Sequence, residues 1–212
     1  MRADRRPRRI RAAAATVAAA ILCGAWLVDD GLTTSHPADP PRADGTPAAP
    51  AAPTASPHAP LAASPPRRIR IPSLKVDAPF TGLHLDEGGR LASPPATARN
   101  LAGWYQDGTA PGAAGTAVVV GHVDNRAGPA VFYRLGLLRK GLDVEITRED
   151  RATAVFTVDD VRSYPKDAFP DNEVYRSDGR PELRLITCGG QYSPHTGYQA
   201  NTVVFAHLSA VR

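Results

Sequence analysis

Two short runs of apolar and β-branched residues constrain this chain most: Thr116-Ala117-Val118-Val119-Val120, and Leu183-Arg184-Leu185-Ile186-Thr187. Each is bounded by glycine, and each has the length and composition of a buried strand. A chain that contains them must build a sheet. The first run leads into Gly121-His122-Val123-Asp124, the second into Cys188-Gly189-Gly190, with 66 residues between His122 and Cys188. Two strand ends meeting at one rim of a sheet would bring thiol and imidazole together. A thiol is a strong nucleophile as thiolate, and a neighbouring imidazole can take its proton.

The remaining elements are short and punctuated by turns. Arg68-Ile69-Arg70-Ile71 alternates as a half-exposed strand does. Ala78 to Leu83 is a second strand, and Pro79 favours an edge position for it. Asp86-Glu87-Gly88-Gly89 reads as a turn. Leu142 to Thr147 and Ala152 to Val158 read as a hairpin around Glu149-Asp150, and Thr202 to Leu208 as the closing strand. One helix is expected, over Ala130 to Lys140 and stopped by Gly141. Many short strands with frequent turns give an all-β fold, either a barrel or a sandwich.

Composition divides the chain into three stretches: 1–28, 29–66 and 67–212. The first carries Arg2, Arg5, Arg6, Arg8, Arg9 and Arg11, then seventeen uncharged residues from Ala12 to Val28. Seventeen is the lower limit for a membrane-spanning helix, while a secretory signal has a shorter apolar core and a cleavage site. The expectation is an uncleaved single-pass anchor with its arginines cytoplasmic and the body outside the cell. A cleaved signal is the alternative. Residues 29–66 are rich in Pro, Ala, Thr and Ser and cannot bury enough apolar surface to order themselves, so they read as a disordered tether. The net charge of +4 breaks down into +5 for 1–11, −3 for 12–66 and +2 for 67–212. The high pI therefore belongs largely to the leader and makes no case for nucleic-acid binding. The 22 arginines against 3 lysines, with abundant Ala and Pro, suggest a high-GC genome.

Of the two cysteines, Cys23 lies inside the apolar leader, which excludes an intradomain disulfide and favours membrane burial over lipidation. An exported domain with one unpaired thiol points to a reactive residue; the competing reading is an inert core cysteine. Six histidines compete for the partner role. His36 and His58 lie in the tether, His84 beside a turn, and His207 near the end of the last strand. His195, seven residues from Cys188, sits in the loop Ser193-Pro194-His195-Thr196-Gly197, a less rigid mount than the strand end carrying His122. No ligand-spacing motif supports a metal, and no cofactor is expected.

The segments Leu185-Ile186-Thr187-Cys188-Gly189-Gly190, Gly121-His122-Val123-Asp124 and Tyr198-Gln199-Ala200-Asn201-Thr202-Val203-Val204-Phe205-Ala206 resemble those of sortases, the cysteine transpeptidases that join proteins to Gram-positive cell walls. Val131-Phe132-Tyr133-Arg134-Leu135 and Tyr164-Pro165-Lys166-Asp167-Ala168-Phe169-Pro170 also fit. The resemblance runs from about Ile69 to the C-terminus and is nearest to the class F sortases of actinobacteria. It implies a closed β-barrel of about eight strands with short helices, in which Cys188 attacks a carbonyl of an LPXTG-like sorting signal on a secreted protein. It further implies that His122 protonates the departing amine. An amine of peptidoglycan or of a pilin then takes the acyl group from the Cys thioester. Thr187 stands near the scissile bond as a substrate-binding residue, or simply packs in its strand. Asp124 orients His122 or caps a turn.

The chain departs from the resemblance at one position. The class F pattern has Tyr-Arg-Asp-Asn, with the arginine supporting substrate and oxyanion, where this chain has Tyr198-Gln199-Ala200-Asn201. A glutamine amide still donates hydrogen bonds but lacks the charge and fork of guanidinium. Three readings follow: an enzyme with a neutral donor, a slow or degenerate one, or an arginine supplied from elsewhere. Arg184, about 13 Å along the strand from Cys188, and Arg126 are the candidates for the last. Two other function classes stay open: a non-catalytic binding module on the same barrel, and a Cys-His peptidase of cell-wall stems.

Overall fold

The two glycine-bounded runs lie side by side. In the computed structural model, which describes residues 58–212, β4 (Thr116–Val120) pairs in parallel with β9 (Glu182–Ser193), Val120 opposite Ile186. The other strands are β1 (Pro66–Ile71), β2 (Val76–Leu83), β3 (Ala102–Tyr105), β7 (Asp143–Arg148), β8 (Thr153–Pro165) and β10 (Gly197–Val211), with a small hairpin of β5 (Asp124–Asn125) and β6 (Gly128–Pro129). Eight of them close in the order β1-β2-β3-β4-β9-β10-β8-β7, with β7 returning to β1. The described part is thus an all-β closed barrel of the expected strand number. Closure removes the open edges through which strands aggregate. Pro79 pairs with Arg68 on one side only, because the alignment of β2 with β3 starts at Phe80, so it keeps the locally one-sided position expected of it.

Strand alternation sorts side chains to the two faces. Ala117 and Val119 of β4, Leu183 and Leu185 of β9, Val204 and Ala206 of β10, and Phe156 of β8 join the barrel's interior cluster. Their neighbours Val118, Ile186 and Val203 form a second cluster on the outer face. Tyr164 covers it from the end of β8, and Phe169 and Val174 from the β8–β9 connection, which contains the one-turn helix α1 (Asp171–Val174). Burying each large aliphatic or aromatic side chain contributes about 1.5–3 kcal/mol, whereas an exposed ion pair adds about 0–1 kcal/mol. The two clusters, not the surface arginines, therefore hold the barrel together.

The helix expected over Ala130 to Lys140 does not form. The segment is a chain of turns ending in a 3-10 turn, Leu135–Leu137. Its bonds run between residues three apart: Tyr133 to Ala130, Leu135 to Phe132, Leu137 to Arg134, Leu138 to Leu135. The core-facing residues Phe132, Leu135 and Leu138 recur every three positions, which matches the 3.0-residue turn of a 3-10 helix rather than the 3.6 of an α-helix. Gly136 and the glycine stop at Gly141, with φ +87°, keep the segment short. The hairpin expected around Glu149-Asp150 forms as β7–β8, Ile146 opposite Ala154. The Asp86–Gly89 turn forms too, bracketed by a Leu85–Leu91 bridge.

Leu61 to Pro66, the last residues of the Pro/Ala-rich stretch, run along the barrel. The Leu61 amide donates to Gly112 O (2.8 Å), and the Glu149 amide to Pro65 O (2.9 Å). Arg148, fully buried, anchors them: its guanidinium donates to the carbonyls of Pro111 and Ala62 and pairs with Asp150. The anchor segment 1–28 and the tether before residue 58 lie outside the described residues. No described helix is long and apolar enough to cross a membrane.

Candidate active site

The β4–β9 pairing carries the histidine and the cysteine to the same level of the sheet. Beyond Val120 and Ile186 the two strands stay fastened: the Gly121 amide donates to Ile186 O (3.2 Å), and the Thr187 hydroxyl donates to Gly121 O (2.8 Å). Continuing the parallel register by two residues sets His122 level with Cys188. Position 121 is glycine because Val131 and Phe132 press against it. A Cβ there would lie 2.6 Å from a Phe132 ring carbon and 2.7 Å from a Val131 methyl. The Phe132 amide also donates to His122 O (3.0 Å), so the histidine backbone is held from both sides.

The His122 ring is oriented by a main-chain carbonyl. Its Nε2 lies 2.7 Å from Pro94 O. A carbonyl only accepts, so Nε2 carries the hydrogen of this bond and Nδ1 is the nitrogen left for proton exchange. Asp124, weighed as an orienting partner, is engaged elsewhere: its carboxylate accepts from the Tyr198 hydroxyl at 2.5 Å. Burial, this bond and the charge of Asp124 push the Tyr198 phenol well above its ordinary range, so it stays a hydrogen-bond donor at neutral pH.

Cys188 is partly exposed on the outer face of β9, the face of Ile186. The strand does not end there, as the sequence suggested, but continues to Ser193 and turns into β10. That extension gives the cysteine two strand neighbours. Asn201 of β10 stands directly opposite it and is paired on its other side with Tyr164 of β8; the next β8 residue, Pro165, is paired with Ala200. The ammonium of Lys166, the residue after Pro165, comes within 3.8 Å of the Cys188 sulfur. Neither Asn201 nor Lys166 stands out in the sequence. Both lie inside the quoted segments, but only long-range pairing puts them beside the thiol.

The other sequence candidates fall as follows. Thr187 is buried, and its hydroxyl is used to hold the His122 strand. Gln199 is exposed, where the β10–β9 register shifts between Tyr198 and Ala200. Arg184 shares the outer face with Cys188, yet it is buried and committed. It donates to Val174 O (3.0 Å), pairs with Glu182 (2.7 Å) and covers the Phe205 ring at 4.6 Å. Arg126 lies in the exposed turn of the β5–β6 hairpin. His195 is exposed in the β9–β10 turn, and His84 and His207 bond Asp107 and Asp159. His122 is the described histidine that the strand register aligns with Cys188.

The family model for the Sortase domain matches residues 69–209. The chain belongs to the sortase family. Its members are in general cysteine transpeptidases acting on sorting signals and amine acceptors, and the barrel agrees with solved sortase folds. Sortase A of Listeria monocytogenes superposes with a TM-score of 0.52 at 16% identity, over 68% of this chain and 87% of that one. The SrtA sortase from Actinomyces oris gives 0.53 at 18%, over 69% and 81%. Sortase C1 from Streptococcus agalactiae gives 0.52 at 17%, over 68% and 67%. A search of curated protein sequences found no match.

One consequence of the sortase geometry is open to measurement. Thr187→Val keeps the shape of the side chain but leaves Gly121 O without its donor. A stability loss of about 1–3 kcal/mol is expected for an unpaired buried carbonyl, read as a lower denaturant midpoint. Thr187→Ser restores the bond and should recover most of it. A stable Thr187→Val protein would show that the strand ends are held by β pairing alone.

Proposed function

We propose that this sortase is a transpeptidase closest to class F, anchored in the membrane by residues 1–28 with its barrel outside the cell. The alignment of His122 with Cys188 through the Gly121–Thr187 fastening carries this reading. The Cys188 thiolate attacks a backbone carbonyl of an LPXTG-like signal near the C-terminus of a secreted protein. The C–S bond forms, the C–N bond breaks, and the departing amine takes a proton from His122. A wall or pilin amine then attacks the thioester and releases Cys188. Splitting one hard step into two in this way needs no cofactor.

Mass spectrometry of the purified chain with an LPXTG peptide and an amine tests the reading. The expected result is an acyl adduct on Cys188 and a ligated product that appears when amine is added. No adduct with any sorting peptide would favour a binding module, the alternative that the exposed, neutral Gln199 keeps open. Release of fragments from purified wall without ligation would favour a stem peptidase. Localisation has its own test: protease added to intact cells should digest the barrel while a basic, apolar N-terminal fragment stays in the membrane fraction. A full-length chain in the cytosol would refute the anchor, and a shortened chain in the medium would mean that the leader is cut.

A further inference from the structure

The reading of Cys188 as an acyl-accepting nucleophile leaves one need unmet. As the thiolate adds to a carbonyl, negative charge moves onto the carbonyl oxygen and must be met by a donor fixed in advance. Gln199 offers a neutral amide on an exposed, irregular stretch of strand. Arg184 is occupied by Val174 O, Glu182 and Phe205, and Arg99 is occupied by Pro129 O.

Lys166 is differently placed. It follows the last residue of β8, whose partner Ala200 is itself paired with Gly189, the residue after Cys188. Three strands in register thus fix its backbone beside the thiol. The 3-10 turn Lys166–Ala168 that it opens is followed by Phe169, whose ring packs edge-on against Tyr164 at 5.9 Å and tilted against Tyr175 at 6.0 Å. Among the described residues no ion pair includes Lys166. Lys166 is exposed, and its ammonium nitrogen lies 3.8 Å from Sγ, the reacting atom. A donor to an oxyanion sits about 2.7–3.1 Å from the oxygen. An oxygen on the carbon bonded to Sγ falls within that reach of a cation at this distance.

We propose that Lys166 is a catalytic residue: its ammonium donates to the oxyanion formed when Cys188 adds to a carbonyl. This rests on the nucleophile assignment for Cys188 but not on the sorting signal. In the step, the thiolate pair forms the C–S bond, and the carbonyl π pair moves to oxygen opposite Nζ. The oxygen pair then returns as the leaving group departs with its bonding electrons. Lys166 stays protonated throughout.

The test uses the full chain and p-nitrophenyl acetate, whose acetyl group is followed to Cys188 by peptide mass mapping and by nitrophenolate release. Iodoacetamide alkylation of Cys188 at the same pH is run in parallel, because that displacement forms no oxyanion. Lys166→Met should slow acetylation by about 10- to 100-fold, toward the loss seen when one oxyanion donor is removed. Alkylation and the melting temperature should be unchanged. Lys166→Arg should recover most of the acetylation rate. With a sorting peptide that the parent processes, kcat should fall while KM holds, the pattern of an interaction made only in the transition state. Equal acetylation of parent and Lys166→Met would overturn the assignment. So would an equal loss in alkylation, which would place the lysine's effect on the thiolate instead, and so would a parent whose Cys188 takes no acetyl group. A parent that is acetylated but processes no sorting peptide would remove the transpeptidase reading and leave Lys166 to be judged by the ester alone.

Discussion

Cys188→Ala is expected to abolish acyl transfer while the barrel stays folded. Loss of a catalytic nucleophile costs on the order of 10⁴–10⁶ in rate, which for a slow enzyme means no detectable product. The fold should barely respond. Cys188 is partly exposed on the outer face and belongs to neither apolar cluster, so removing Sγ should change stability by about 0.5 kcal/mol or less. Product formation and thermal melting measured on one preparation separate the two effects. Turnover retained in Cys188→Ala would end the nucleophile assignment, since the remaining cysteine, Cys23, precedes the Sortase domain match at 69–209.

His122→Ala comes next in size, with a loss of about 10²–10⁴-fold, the usual worth of a positioned general acid. His195→Ala should leave the rate unchanged, because His195 is exposed in the β9–β10 turn and bonds through its backbone to Ser193. The pair tests the strand register directly. His122 is set level with Cys188 by the β4–β9 alignment, and its ring is oriented by the Pro94 carbonyl bond. If His195→Ala were the inactive variant, the loop rather than the strand end would carry the proton.

The sequence made legible what depends on short-range pattern. β4 and β9 follow from unbroken β-branched and aliphatic runs. The β7–β8 hairpin follows from alternation on either side of Glu149-Asp150. The family was readable because its segments around Cys188 and His122 are contiguous. What was not legible was a matter of period and of partner. Phe132, Leu135 and Leu138 recur every three residues, close enough to 3.6 to suggest a helix, and only the observed bonds distinguish the two. Thr187 read either as a substrate contact or as strand packing, and nothing local reveals that its hydroxyl spans to Gly121. Lys166 is 22 residues from Cys188 in sequence, and its approach depends on β10 lying between β8 and β9. No pattern within one strand encodes that.

The seating of Leu61 to Pro66 has a mechanical consequence. With the anchor and the wall acceptor proposed above, pulling on the substrate would put the chain under tension, and that load would enter the barrel through this segment. It meets first the Leu61–Gly112 bond and the buried Arg148, then β1, which is laced on one side to β2 and on the other to β7. Force along β1 therefore shears two ladders at once instead of peeling one open bond by bond. It is borne on the β1–β7 side, across the closed order of strands from β4 and β9, so the alignment of His122 with Cys188 lies off the line of pull.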